Sequence, residues 1–140
     1  MMHMHEYNFL ALLVAVVATF ALGALWYSPL VFGNMWVRAH GYSPERLERM
    51  KKRAPRAYGI SFVAFLVMVH VLAYLAMRVG VGSALGGAKL GLLVWVGFAA
   101  TIGLTSWVYS DKPLTTYLID AGYQLVYLLV MGAIIGALGA

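Results

Sequence analysis

Asp120 is the residue whose chemistry the rest of the chain has to accommodate. It stands within a mostly apolar run from Leu114 to about Leu138, with Thr116, Tyr117, Tyr123, Gln124 and Tyr127 at short helical intervals around it. On an α-helix these positions fall on one side. If the run crosses a bilayer, Asp120 lies roughly 10 Å along the helix from Pro113, at 1.5 Å per residue. An aspartate at the centre of a spanning helix costs roughly 2.5–3.5 kcal/mol, less toward the interface. Its side chain is too short to snorkel far, so it must face a protein partner or water. Two readings stay open. Asp120 is a proton, cation or solute contact with Gln124 one turn above it, or it is a carboxyl group bonded to a neighbouring tyrosine or backbone group.

Two other places carry polar chemistry. His70 lies in an apolar run with Tyr74 one turn later; a lone buried imidazole is more often a satisfied core residue than a proton carrier. Trp26-Tyr27-Ser28-Pro29 closes another apolar run. Proline lacks an N–H, so the Leu25 carbonyl would lose its helical donor if the helix continued. That would leave a free carbonyl at roughly the depth of Asp120. The simpler account is that tryptophan and tyrosine sit at membrane interfaces and Ser-Pro ends helices. Met1 to Glu6 holds His3 and His5 among methionines, but a frayed terminus explains it better than soft-metal binding, and no metal is assigned.

The elements that must position these groups are spans. Residues are 63% hydrophobic and 11% charged, against about 25% charged in soluble domains, so lipid must supply much of the solvent. A crossing helix needs roughly 20 mostly apolar residues, and four runs qualify: about 8–27, 58–77, 85–108 and 114–138. The first could be a signal peptide, but Met1 to Tyr7 carries no Lys or Arg and the apolar run exceeds the usual signal core, so it reads as a retained span. The expected fold is an all-α integral membrane bundle of four transmembrane helices in one domain, 1–140, with a basic loop at 30–57. No cysteine is present, which excludes disulfides and thiolate chemistry.

The net charge of +5 is local: seven of the ten Lys and Arg residues fall between Arg38 and Arg56. This fits an anionic membrane surface rather than nucleic acid, and it puts that loop in the cytoplasm with both termini outside. Ser43 is a good N-cap and Pro44 suits the first helical position. Glu45/Arg49 and Glu48/Lys52 have the spacing of i,i+4 pairs, and Leu47, Met50 and Ala54 share the other face. A short amphipathic cytoplasmic helix is expected there. It either contacts anionic headgroups through Arg46, Arg49, Lys51, Lys52, Arg53 and Arg56, or is a solvated loop helix.

Small residues recur where helices should touch: Gly132 and Gly136, Gly87 and Gly91 followed by Gly97, Thr101 and Thr105, and Ala11, Ala15, Thr19 and Gly23. Such strips allow close backbone approach, within one chain or between copies, and a homo-oligomer is the favoured reading.

Gly23-x-x-Trp26-Tyr27-Ser28-Pro29-x-x-Phe32-Gly33-x-x-Trp36 resembles the signature of a bacterial membrane family catalogued as domain of unknown function 1761. Gly91-Leu92 with Trp95 and Gly97-Phe98, Leu118 to Tyr123, and Met131 to Gly136 extend the likeness over nearly the whole chain. The resemblance implies a four-helix protein of the bacterial cytoplasmic membrane and carries no established activity. It also suggests that Trp26 to Pro29 and Asp120 belong to one constellation.

The preferred function is an oligomeric channel or transporter for a small ion or solute. Its path is expected to use Asp120, Gln124, Tyr123, Tyr127, Tyr117 and His70, with Trp26, Tyr27 and Ser28 at its end. The alternative is a non-catalytic accessory or lipid-interacting scaffold. An enzyme is the weakest reading, because one His and one Asp on different helices have no nucleophile or third ligand beside them. No cofactor is expected.

Overall fold

The computed structural model describes residues 8–139; the Met1 to Glu6 stretch lies outside them. Helix α1 is Phe9–Trp26, α2 Gly33–His40, α3 Pro44–Val79, α4 Ala84–Val94, α5 Ala100–Val108 and α6 Leu114–Leu138. Side chains cap three starts: Asn8 accepts from Ala11 N at 3.2 Å, Ser43 from Arg46 N at 3.1 Å and Ser83 from Gly86 N at 3.0 Å. These bonds satisfy backbone donors that a first turn leaves free. Gly41, Gly80 and Gly139 end α2, α3 and α6 with φ of 71°, 87° and 77°, the left-handed geometry that glycine adopts without strain.

Four helices are long and apolar enough to cross a membrane: α1, α3, the continuous α4–α5 and α6. The fold is all-α among the described residues. Two features differ from the sequence reading. The segment 44–57 is no separate helix in a loop: it is the start of α3, whose 36 residues run from Pro44 to Val79 with Pro55 inside. The charges end the apolar run but not the hydrogen-bond ladder. The expected i,i+4 ion pairs are not formed, and Glu48 instead meets Lys51 at 3.9 Å, both exposed. Second, α2 occupies a stretch read as plain loop.

Helix α6 is the hub, packed by α1, α3 and α4. Leu12 and Val16 of α1, Val69 and Leu72 of α3 and Leu128, Met131 and Ile135 of α6 make the core. The α4–α6 contact is the closest. A Cβ on Gly87 would strike the Gly132 carbonyl, one on Gly91 the Leu128 carbonyl, and one on Gly132 the Gly87 carbonyl, while Gly136 abuts Ser83. Ala11, Ala15 and Thr19 are fully buried within the chain. These strips are therefore used inside one chain, and they no longer argue for contact between copies. Gly97, Thr101 and Thr105 face outward.

Between α4 and α5 lies one π-helical segment, Trp95–Ala99, where the Ala100 N–H reaches back to the Trp95 carbonyl. The wider turn shifts the register of the helix. Gly87, Leu90 and Gly91 of α4 are buried, whereas no residue of α5 is. Past the π turn this helix leaves α6 and opens a cleft. Large apolar side chains such as Leu10, Val17, Val63, Leu93, Phe98, Ile102 and Leu118 point outward from all four long helices, a surface suited to hydrocarbon rather than water.

Candidate functional site

The turn after α1 brings Asp120 its partners. With Pro29 unable to donate, the Leu25 carbonyl is recovered by Ser28, whose N–H and Oγ–H donate to it at 3.2 and 2.7 Å. The chain then folds back, Phe32 N–H donating to Trp26 O at 3.0 Å and Gly33 N–H to Ser28 O at 2.9 Å. Gly33 is buried there, and a Cβ on it would collide with the Tyr27 carbonyl. This tight reversal sets α2 across the end of α6.

Asp120 Oδ1 consequently accepts two hydrogen bonds from distant sequence: the Tyr27 hydroxyl at 2.6 Å and the Trp36 indole N–H at 3.1 Å. The backbone beside Asp120 is gripped too. Trp26 Nε1–H donates to Ile119 O at 2.9 Å from α1, and Trp95 Nε1–H to Ala121 O at 2.9 Å from the π turn. Trp107 donates to the Lys112 and Pro113 carbonyls at 2.9 and 3.0 Å. All four tryptophans of the chain thus spend their indole N–H on α6 or its entry turn.

Asp120 also lines a cleft of about 530 Å³ bounded by α3, α5, α6 and the end of α2. Tyr117, Gln124, Tyr127 and Ser106 share its wall, with His40 and Lys112 at one end. The Tyr117 hydroxyl is spent on Ala100 O at 2.7 Å, tying α5 to α6. The second Asp120 oxygen, the Gln124 amide and the Tyr127 hydroxyl have no protein partner among the described residues, which leaves acceptor and donor capacity facing the cleft. His40 is half-buried between Trp36, at 4.4 Å between ring centroids, and Tyr42, stacked at 4.8 Å. Both its ring nitrogens are shielded and unbonded. Burial is the main cause that lowers its pKa from the ordinary 6.5; Asp120 acts in the opposite sense, and Lys112 and Arg46 add to the lowering. The imidazole is therefore held neutral near pH 7.

The residues expected to share one path line two clefts, which the Tyr27 hydroxyl on Asp120 joins. Asp120, Gln124, Tyr127 and Tyr117 line this cleft, whereas Tyr27 and Tyr123 line a second one of about 730 Å³ between α1 and α3, with Phe20, Tyr58, Ser61 and Phe65. The Tyr123 hydroxyl is occupied by Thr19 O at 2.8 Å. Trp26 and Ser28 line neither. His70 stands apart toward the other end of the bundle, its Nδ1 2.7 Å from Leu66 O of its own helix and its ring 5.9 Å from Phe9, and it lines neither cleft. Trp36, His40 and Lys112 belong to the site and were missed by residue chemistry. Trp36 did stand in the family-like motif, and Lys112 beside Pro113 marked the entry to α6.

No group of three His, Cys, Asp or Glu side chains able to hold a metal occurs among the described residues. The comparisons with known proteins supply a family and no activity. Neither the curated proteins nor the solved structures contain a match. A family model described as protein of unknown function (DUF1761) matches residues 10–136, a range that takes in all six helices' packing, the four tryptophans and Asp120. The chain therefore belongs to the DUF1761 family.

Proposed function

We propose that this chain is a multi-pass membrane protein that binds a small polar solute or ion in the Asp120 cleft and passes it along the α5–α6 face. The observation that carries the reading is the half-satisfied carboxylate: Oδ1 is held by Tyr27 and Trp36, while Asp120 with Gln124 and Tyr127 lines the cleft. A carboxylate this far from the end of a spanning helix needs compensation, and the two donors supply it without closing the cleft. The excess of basic residues at the same end orients it toward the cytoplasm by the positive-inside rule.

A test is ion flux in vesicles reconstituted with the full chain, probed separately with protons, potassium and chloride. Wild-type protein is expected to exceed empty vesicles for one of them. Asp120→Asn, which keeps an acceptor for Tyr27 and Trp36, is expected to lower that flux at least about tenfold, the usual cost of a lost charged contact. Flux equal to empty vesicles for every probe would contradict the reading.

One observation favours a second function. The same Oδ1 contacts tie α1, α2 and α6 together, as a membrane scaffold would need. In that case Asp120→Ala lowers stability, and no variant changes any flux.

A further inference from the structure

The basic residues of α3 do not act as one diffuse charged face. Arg46, Arg49 and Arg53 recur at i, i+3 and i+7, which puts them on one side of the helix. With Tyr42 and Met50 they line a hollow of about 340 Å³. Lys51, Lys52 and Arg56 lie outside it. The Arg46 guanidinium stands 5.0 Å from the Tyr42 ring centroid, and Lys112, from the turn before α6, approaches the same ring at 5.9 Å. Cations from two remote parts of the sequence thus converge on one tyrosine. Neither nearby carboxylate neutralises them: the one ion pair on this stretch among the described residues is Glu48 with Lys51.

The level of the hollow follows from Lys112. That residue immediately precedes the α6 span, and its Nζ donates to His40 O at 3.2 Å, so the Tyr42 ring lies where a spanning helix enters the bilayer. Arg53 is roughly 7.5 Å along α3 from Tyr58, where the apolar run begins, at 1.5 Å per residue. That distance is close to the thickness of one headgroup layer, and on the same rise Arg49 and Arg46 stand roughly 13.5 and 18 Å from Tyr58, at and beyond its outer edge. Arginine presents a planar fork that fits phosphate oxygens in pairs, which a lysine point charge does not.

We propose that the Arg46–Arg49–Arg53 hollow with Tyr42 is a binding site for the phosphate of an anionic phospholipid headgroup. It rests on the membrane reading of the chain and not on transport through the Asp120 cleft. The phosphate lies among the three guanidinium groups, Met50 meets the glycerol end, and the acyl chains run down the apolar part of α3.

The test is lipid retention by native mass spectrometry of the full chain purified in neutral detergent, with phosphatidylglycerol or phosphatidylcholine added. Wild type is expected to hold one phosphatidylglycerol and not phosphatidylcholine. The R46Q/R49Q/R53Q variant is expected to lose that retention about tenfold, whereas K51Q/K52Q/R56Q, with the same change in charge, retains it. Equal loss in both variants would show general attraction and overturn the site, as would no retention by wild type. Inorganic phosphate alone, followed by calorimetry, is expected not to bind; binding that is lost in the first variant would reassign the hollow to a free anion and overturn the headgroup assignment. If the triple variant lost its helical circular dichroism, Arg49→Gln alone would serve, with an expected loss of about threefold.

Discussion

The two halves of α6 are packed by opposite means. Its C-terminal half meets α4 backbone to backbone through Gly87, Gly91, Gly132 and Gly136, a seam with no room for a methyl group. Its N-terminal half meets its neighbours through long polar-tipped rings: Trp26, Trp36, Trp95, Tyr27 and Tyr117 each place an N–H or O–H on a partner oxygen. Small residues let helices touch, and indoles hold them at a distance. The π turn at Trp95–Ala99 marks the change, α4 lying against α6 and α5 standing off it. One end of the bundle is consequently closed, and the other keeps a cleft whose walls are fixed by hydrogen bonds.

The largest effect should come from forcing the closed half open. Gly132→Val, or Gly87→Val, drives a side chain into a facing carbonyl. Overpacking of this kind costs about 3 kcal/mol or more when backbone must move, read as lost resistance to unfolding in detergent. Next is Asp120→Ala, which strands the Tyr27 hydroxyl and Trp36 indole and should destabilise by about 2 kcal/mol, with Asp120→Asn costing clearly less. A smaller loss, about 1 kcal/mol, is expected of Trp95→Phe, because one neutral bond to Ala121 O goes and the ring stays. If it exceeded the glycine variants, the division between the halves would be wrong.

His40 sharpens the same contrast through pH. Its pKa is lowered in the folded chain, so the unfolded state takes up the proton first as pH falls. Stability should therefore be fully present above about 6.5 and decline below it. Melting temperatures of wild type and His40→Gln, compared between about pH 5 and pH 8, should converge or cross as pH falls. A wild-type advantage that grew on acidification would contradict the shielding of the ring. The smallest effect belongs to Gly97→Ala. Nothing lies within 4 Å of its added methyl, so the variant should be neutral or stabilised by up to about 1 kcal/mol.

Hydropathy made the spans legible because hydrocarbon demands apolar length: α1 at Phe9–Trp26, the α4–α5 run and α6 at Leu114–Leu138 lie within a residue of expectation. It misplaced the start of α3, since charged residues such as Arg49 and Lys52 are good helix formers and polarity marks the membrane boundary rather than the helix end. Helix α2 went unseen because eight residues from Gly33 to His40 are shorter than the window over which a helical apolar period is read, although Gly41 after Arg38 and His40 is a helix-stop signal. Asp120 announced itself as a costly residue in an apolar run. What compensates it was legible only in part: the family-like motif linked Trp26 to Pro29 with Asp120, but Tyr27 and Trp36 lie 93 and 84 positions away, and the Pro29 reversal is what makes them neighbours. Trp26 reads as an interfacial residue, and nothing in the sequence signals the bond its indole makes to the Ile119 carbonyl.

The contrast between a dry seam and an accessible cleft can be measured directly, because the chain has no cysteine of its own. Gln124→Cys and Met131→Cys lie two turns apart on α6, the first on the cleft wall and the second fully buried. With the full chain in vesicles, a water-soluble, membrane-impermeant thiosulfonate applied from the basic end should modify the first and spare the second. Equal protection of both thiols would mean that water never reaches the Asp120 face, and the cleft would have no part in moving a solute.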